Sequence, residues 1–110
     1  TSHAEIVALR NAERLLGTFC LRSKGLPKLS IFNSCAPCIM CTGAIHWAGV
    51  PEVIAGARRE DAEVIGFLEG PKDIDVQGFL KKRKITYKCD FLRDEVIEVF
   101  KHYEGLIYNG

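Results

Sequence analysis

His3, Cys38 and Cys41 are three side chains of the kind that bind zinc, and Glu5 stands two residues from the first of them. Structural zinc sites close all four positions with protein ligands, whereas catalytic sites use three and leave the fourth to water. In the run Pro37-Cys38-Ile39-Met40-Cys41 the two cysteines are spaced by three, so on a helix their thiols share a face. Pro37 suits the first position of such a helix. The N–H groups of a first turn point outward unpaired, and their partial positive charge favours thiolate over thiol. His3 and Glu5 open a second helix, so two helix N-termini are expected to converge on one metal. Zinc lowers the pKa of its water to about 7. Glu5 would take a proton from that water and return it to a leaving group, acting as base and then acid. Both roles require burial to raise the pKa of its carboxyl. A hydrogen-bond acceptor behind the ring should hold the other ring nitrogen of His3.

The elements that must carry these residues follow from spacing. Ile6, Leu9, Ala12 and Leu16 lie on one stripe of a helix over residues 4–16, with Gly17 as its stop. Residues 29–35, with Leu29, Ile31 and Phe32, read as a short buried strand. The helix begun at Pro37 runs to about Gly49, and residues 53–57 form a second strand. Strand, helix and strand make a βαβ unit, with parallel strands and a right-handed crossover. A short helix over 59–67 and an irregular stretch over 68–78 come next. Ile85, Tyr87 and Cys89 alternate with Thr86 and Lys88 in a strand over 84–90. A last helix spans 91–107, with Val96, Val99, Phe100, Tyr103 and Leu106 facing inward. Three strands are thin for independent stability. The histidine at position 3 also has nothing before it to hold it. The expectation is a single domain over 1–110 that is N-terminally incomplete, its missing segment deleted, disordered or supplied by another chain.

Bulk properties narrow the function classes. The chain has 110 residues, 47% hydrophobic and 26% charged, with a net charge of +1. That balance gives no general reason to expect nucleic acid or an anionic membrane as partner. No stretch of eighteen apolar residues and no secretory n-region and h-region are present. The cysteines are five, an odd number, and Cys35, Cys38 and Cys41 crowd into seven residues. Metal binding in a reducing cytoplasm fits this better than a disulfide framework.

Other readings of the same residues exist. A lone C-x-x-C can be a redox pair, but that leaves the histidine and glutamate unexplained. Cys35, Cys38 and Cys41 are spaced like part of a ferredoxin-type iron–sulfur motif, with Cys20 or Cys89 as the fourth ligand. Cys35 could also close a non-catalytic zinc site. Otherwise Cys20, Cys35 and Cys89 are small buried hydrophobes, and His46 and His102 are ordinary histidines. Lys81-Lys82-Arg83-Lys84 is either a solvated face or a track for a phosphate backbone.

His-x-Glu followed by Pro-Cys-x-x-Cys is the signature of zinc-dependent base deaminases. With Thr1-Ser2-His3-Ala4-Glu5-Ile6, Ala8-Leu9-Arg10 and Gly43-Ala44-Ile45, the chain resembles the cytidine deaminase superfamily. Within it the chain is similar to the branch of guanine, cytosine and tRNA adenosine deaminases. The resemblance implies an α/β fold, a three-layer α/β/α sandwich around a mixed five-stranded sheet. This chain would lack the N-terminal helix and first two strands. It also implies one zinc ion per chain with a catalytic water, hydrolytic attack on a ring carbon bearing an amino group, release of ammonia, and a homodimer.

Finer features lean toward guanine or a close ring analogue. They are Gly43-Ala44-Ile45-His46-Trp47-Ala48, and Asp61-Ala62 followed by Gly66-Phe67. The resemblance implies substrate contacts from Ala4, Trp47, Glu69 and Tyr108. A carboxylate at Glu69 would accept two N–H bonds from an amino-imino edge, which adenine lacks. Ala36 departs from the pattern, which commonly has glutamate there. Leu92-Arg93-Asp94-Glu95 is similar to tRNA adenosine deaminases, and Cys41-Thr42-Gly43-Ala44-Ile45 also suits cytosine deaminases. Those two activities are the alternatives.

Overall fold

Glycine stops set the lengths of the two helices that carry the cysteines and the histidine. The structure, a computed structural model, describes residues 1–107. Helix α1 (Ala4–Leu16) ends where Gly17 takes the left-handed conformation, φ 65°. There the N–H of Thr18 bonds back to the Glu13 carbonyl at 3.1 Å, closing orphan carbonyls of the last turn. Helix α2 (Ile39–Ala48) ends the same way at Gly49, φ 78°. Between them runs β1 (Ser30–Cys35), and β2 (Glu52–Ala57) follows α2. Then come α3 (Arg59–Val64), α4 (Val76–Lys82), β3 (Thr86–Lys88) and α5 (Arg93–Lys101).

The sheet has the order β1-β2-β3, and both pairings are parallel. Val53 of the central strand pairs with Ile31 on one side and Tyr87 on the other. The run Val53-Ile54-Ala55-Gly56-Ala57 is almost wholly buried, as a parallel strand covered on both faces must be. On one face Ile31, Val53 and Ile85 pack with Leu9 of α1, Ile45 and Ala48 of α2, and Leu80 of α4. On the other face α5 crosses β2. This is the three-layer arrangement that the resemblance implied. Among the described residues the sheet is purely parallel. No helix among them is long and apolar enough to cross a membrane.

The strand expected over 84–90 shrinks to Thr86–Lys88 and the helix expected over 59–67 to Arg59–Val64, and two further elements differ more. Part of the stretch read as irregular is α4, started by Asp75, whose side chain accepts from the Gly78 N–H at 2.9 Å. Leu80, fully buried, anchors it. A seven-residue helix with glycine inside and a basic run at its end shows too little periodicity to be seen. The last helix is shorter than expected and does not face inward throughout. It ends at Lys101, Val99 is 69% exposed and Leu106 is 82% exposed. The apolar spacing is helical, but the backbone leaves the helix before Tyr103, whose hydroxyl donates to the Leu106 carbonyl at 2.9 Å.

Arginine forks tie α3 to α5 at the end of the sheet that bears the site. Arg93 donates to both oxygens of Asp61 at 2.8 and 2.9 Å, and Arg58 to both of Asp90 at 2.7 and 2.6 Å. The Arg93 bond holds the Asp61 carboxyl below the usual carboxylate range. Close approach of α5 to β2 depends on Gly56. A β-carbon there would lie 2.8 Å from the Ser34 carbonyl oxygen and from Val96 Cγ2. Gly56→Ala is therefore expected to cost about 1–3 kcal/mol and to lower Tm by at least about 4 °C. An unchanged thermal melt would show that α5 does not pack this closely.

Candidate active site

His3 is the N-cap residue of α1 and Cys38 that of α2, and neither side chain caps its own helix. They turn toward each other. His3 Nδ1 lies 3.5 Å from Cys38 Sγ and 3.7 Å from Cys41 Sγ, with Cys41 in the first turn of α2. All three ligand atoms lie within 4.8 Å of one another. Zinc bonds of about 2.3 Å to sulfur and 2.0 Å to nitrogen, at tetrahedral angles, space such atoms by about 3.5–3.8 Å. The group has the size and the donor chemistry for zinc. Pro37 precedes the cap instead of opening the helix.

The electrostatics agree. Burial, then the charges of Glu5 and the Cys38 thiol, pushes the fully buried Cys41 thiol up. Packed thiols and a carboxylate resist ionising together, and a divalent cation reverses that preference. Glu5, partly buried in the first turn of α1, thus borders the group without belonging to it.

Glu69 reaches the same place from a distant loop. Its carbonyl accepts the N–H of Ile39, the first residue of α2, at 3.2 Å. Next to the ligand group, and not lined by it, Glu69 borders a cavity of about 300 Å³ with Ala36, Pro37, Arg59 and Tyr87. Burial pushes its carboxyl up from the ordinary value. His3 opposes this, Glu5 adds to it and Arg59 opposes it. Ala36, small where the family commonly has glutamate, forms part of the cavity wall. Burial pushes the Tyr87 hydroxyl up to about 12.

The other expected residues fall at several places. Cys35 Sγ donates to the Arg58 carbonyl at 3.6 Å, and burial raises its pKa to about 12. Among the described residues it does not join the ligand group, and neither do Cys20 and Cys89. Ala4 is exposed between His3 and Glu5. Trp47 is 82% exposed near the end of α2, in a groove with Ile6, Phe19 and Ala44. At 1.5 Å per residue it sits about 9 Å along the helix from Cys41. Tyr108 lies outside the described residues. His46 packs its ring near Trp47 and Phe79. Arg59 and Tyr87 are cavity residues that the sequence reading missed. The available signal was position, since Arg59 opens α3 two residues after the end of β2, at the strand ends where α/β sites assemble.

Comparison with known proteins gives a consistent result. The profile of the cytidine and deoxycytidylate deaminase zinc-binding region matches residues 1–57, the stretch that contains His3, Glu5, Cys38 and Cys41. A guanine deaminase of Bacillus subtilis (strain 168) is 40% identical over 67 residues, 61% of this chain and 40% of its own. A tRNA-specific adenosine deaminase of Buchnera aphidicola subsp. Schizaphis graminum is 30% identical over 103 residues, 94% of this chain and 62% of its own. The solved guanine deaminase of Nitrosomonas europaea superposes with a TM-score of 0.88 at 40% identity, over 93% of this chain and 56% of that one. The chain thus spans less than two thirds of the length of these relatives, from 40% to 62%. The matched region, with its zinc-binding motifs at two helix N-termini, places the chain in the cytidine and deoxycytidylate deaminase family.

Proposed function

We propose that the chain catalyses hydrolytic deamination of a nucleobase, guanine or a close ring analogue, with release of ammonia. The observation that carries this is the placing of Glu5 and Glu69 beside the His3–Cys38–Cys41 group. His3 Nδ1 and the two sulfurs would hold the metal. Bound zinc supplies a Lewis acid that lowers the pKa of water to about 7. Glu5 would take one proton from the attacking water and give it to the ring nitrogen as the oxygen bonds the amino-bearing carbon. It would then take the second from the new hydroxyl and give it to the amino group, which leaves as ammonia. The Glu69 carboxylate accepts the two N–H groups of the guanine edge. Ala4 leaves room beside Glu5 for the ring. The guanine deaminases of Bacillus subtilis and Nitrosomonas europaea support this choice of substrate. A homodimer belongs to the same reading, and the exposed Trp47, Phe19 and Leu15 offer an apolar surface for one.

One observation favours a second reading, an adenosine in tRNA. Residues 81–84 are all exposed at the turn between α4 and β3, where they are open to a phosphate backbone. Salt separates the two, because RNA affinity falls steeply with salt and free-base turnover does not. The direct test is zinc analysis with ammonia release from guanine, cytosine, adenine, their nucleosides and a tRNA anticodon stem. One zinc per chain with ammonia from guanine supports the proposal. Ammonia from the RNA alone transfers it to the second reading. Iron in place of zinc overturns both.

A further inference from the structure

We propose that Arg59 is a positioning residue that clamps the loop carrying Glu69 and so sets substrate affinity without touching the reaction. The inference rests on the reading of Glu69 as the guanine-edge acceptor.

Glu69 lies in the connection between α3 and α4, a segment without regular structure of its own. Three contacts hold its Glu69-Gly70 step against the site. The Ile39 N–H donates to the Glu69 carbonyl at 3.2 Å. Gly70 rests on the Ile39 side chain, so closely that a β-carbon would lie 3.1 Å from Ile39 Cγ2, and its φ of +126° suits glycine. The third contact is Arg59, whose Nη2 donates to the Gly70 carbonyl. The other edge of the guanidinium is fixed, with Nε donating to Glu63 Oε1 at 3.2 Å one turn along α3. A planar fork held at two points has one orientation. Both members of the Arg59–Glu63 pair are mostly buried, with side chains 21% and 24% exposed.

Arg59 therefore transmits the position of α3 to the residue after Glu69. Helix α3 is in turn tied to α5 through Asp61 and Arg93. Without the guanidinium, the Gly70 carbonyl loses this donor, while the contacts to Ile39 and the Lys72–Glu63 ion pair at 3.8 Å remain. The Glu69 carboxylate then has to be ordered at the moment of binding, which weakens affinity. Glu5 and the metal ligands lie on other elements and are left as they were. Loss of binding without loss of chemistry raises KM and spares kcat.

The test compares zinc-loaded wild type, Arg59→Ala and Arg59→Lys in guanine turnover, zinc content and backbone amide exchange. Arg59→Ala is expected to raise KM roughly tenfold with kcat within about twofold and zinc unchanged. It should speed exchange at residues 67–72 and at Ile39. Arg59→Lys should regain part of the KM, because an ammonium still reaches the Gly70 carbonyl but cannot also hold Glu63. A fall in kcat at constant KM, no recovery in Arg59→Lys, or unaltered exchange overturns the clamp. If wild type releases no ammonia from guanine, the substrate reading falls and exchange alone decides. Faster exchange confined to 67–72 and Ile39 then upholds the clamp, and unchanged exchange overturns it.

Discussion

Glu5→Gln is expected to lower guanine turnover by about 10³-fold while one zinc per chain stays bound. General acid–base catalysis by a placed side chain contributes about 10²–10⁴-fold, and glutamine keeps the shape but cannot carry the proton. The zinc half of the prediction comes from the geometry. His3, Cys38 and Cys41 form the ligand group without Glu5. The charge of Glu5 pushes the Cys41 thiol up. Removing the carboxylate makes Cys41 easier to ionise, so zinc affinity should hold or rise. Metal analysis and single-turnover ammonia release on the same preparation read both halves. Loss of zinc would recast Glu5 as a ligand, and undiminished turnover would remove it from the proton path.

The parts of the molecule that announce themselves in sequence are those built by local chemistry. His3 and Glu5 open α1, and Cys38 and Cys41 open α2. Gly17 and Gly49 end those helices at the expected places. A buried central strand reads as an unbroken apolar run, and β2 does so. These features need only a few neighbouring residues to specify them. Glu69 was legible as a residue type in a family pattern, but its route to the site was not. That route is a loop lying on the first turn of α2 and held by an arginine from α3, with sequence separations of 30 and 11 residues. No periodicity encodes such contacts. The same holds for α5, whose apolar spacing promised a buried face. Val96 meets the sheet at Gly56, but Val99 points to solvent.

Glu69→Gln should cut kcat/KM for guanine by about 10²-fold or more and leave zinc in place. The carboxylate offers two acceptors to two donors of the base. An amide offers one acceptor and sets an N–H against an N–H. Hydrogen bonds to a charged group contribute about 1.5–3 kcal/mol each, and a buried donor left unpaired adds its own desolvation cost. The pH dependence has a definite sign. Burial raises the Glu69 pKa, so the acceptor form is present above that raised value and is lost as pH falls through it. Wild-type KM for guanine should therefore climb on acidification before the ordinary carboxylate range is reached, and Glu69→Gln should lose that part of the profile. Stability runs the other way. A carboxyl whose folded pKa is raised contributes stability at low pH that is lost as pH rises through the folded value. The neutral amide lifts that burden, so Glu69→Gln should melt no lower than wild type at neutral pH. Lower activity with equal or higher Tm separates a substrate contact from a structural one. Full guanine turnover in this variant would end the assignment.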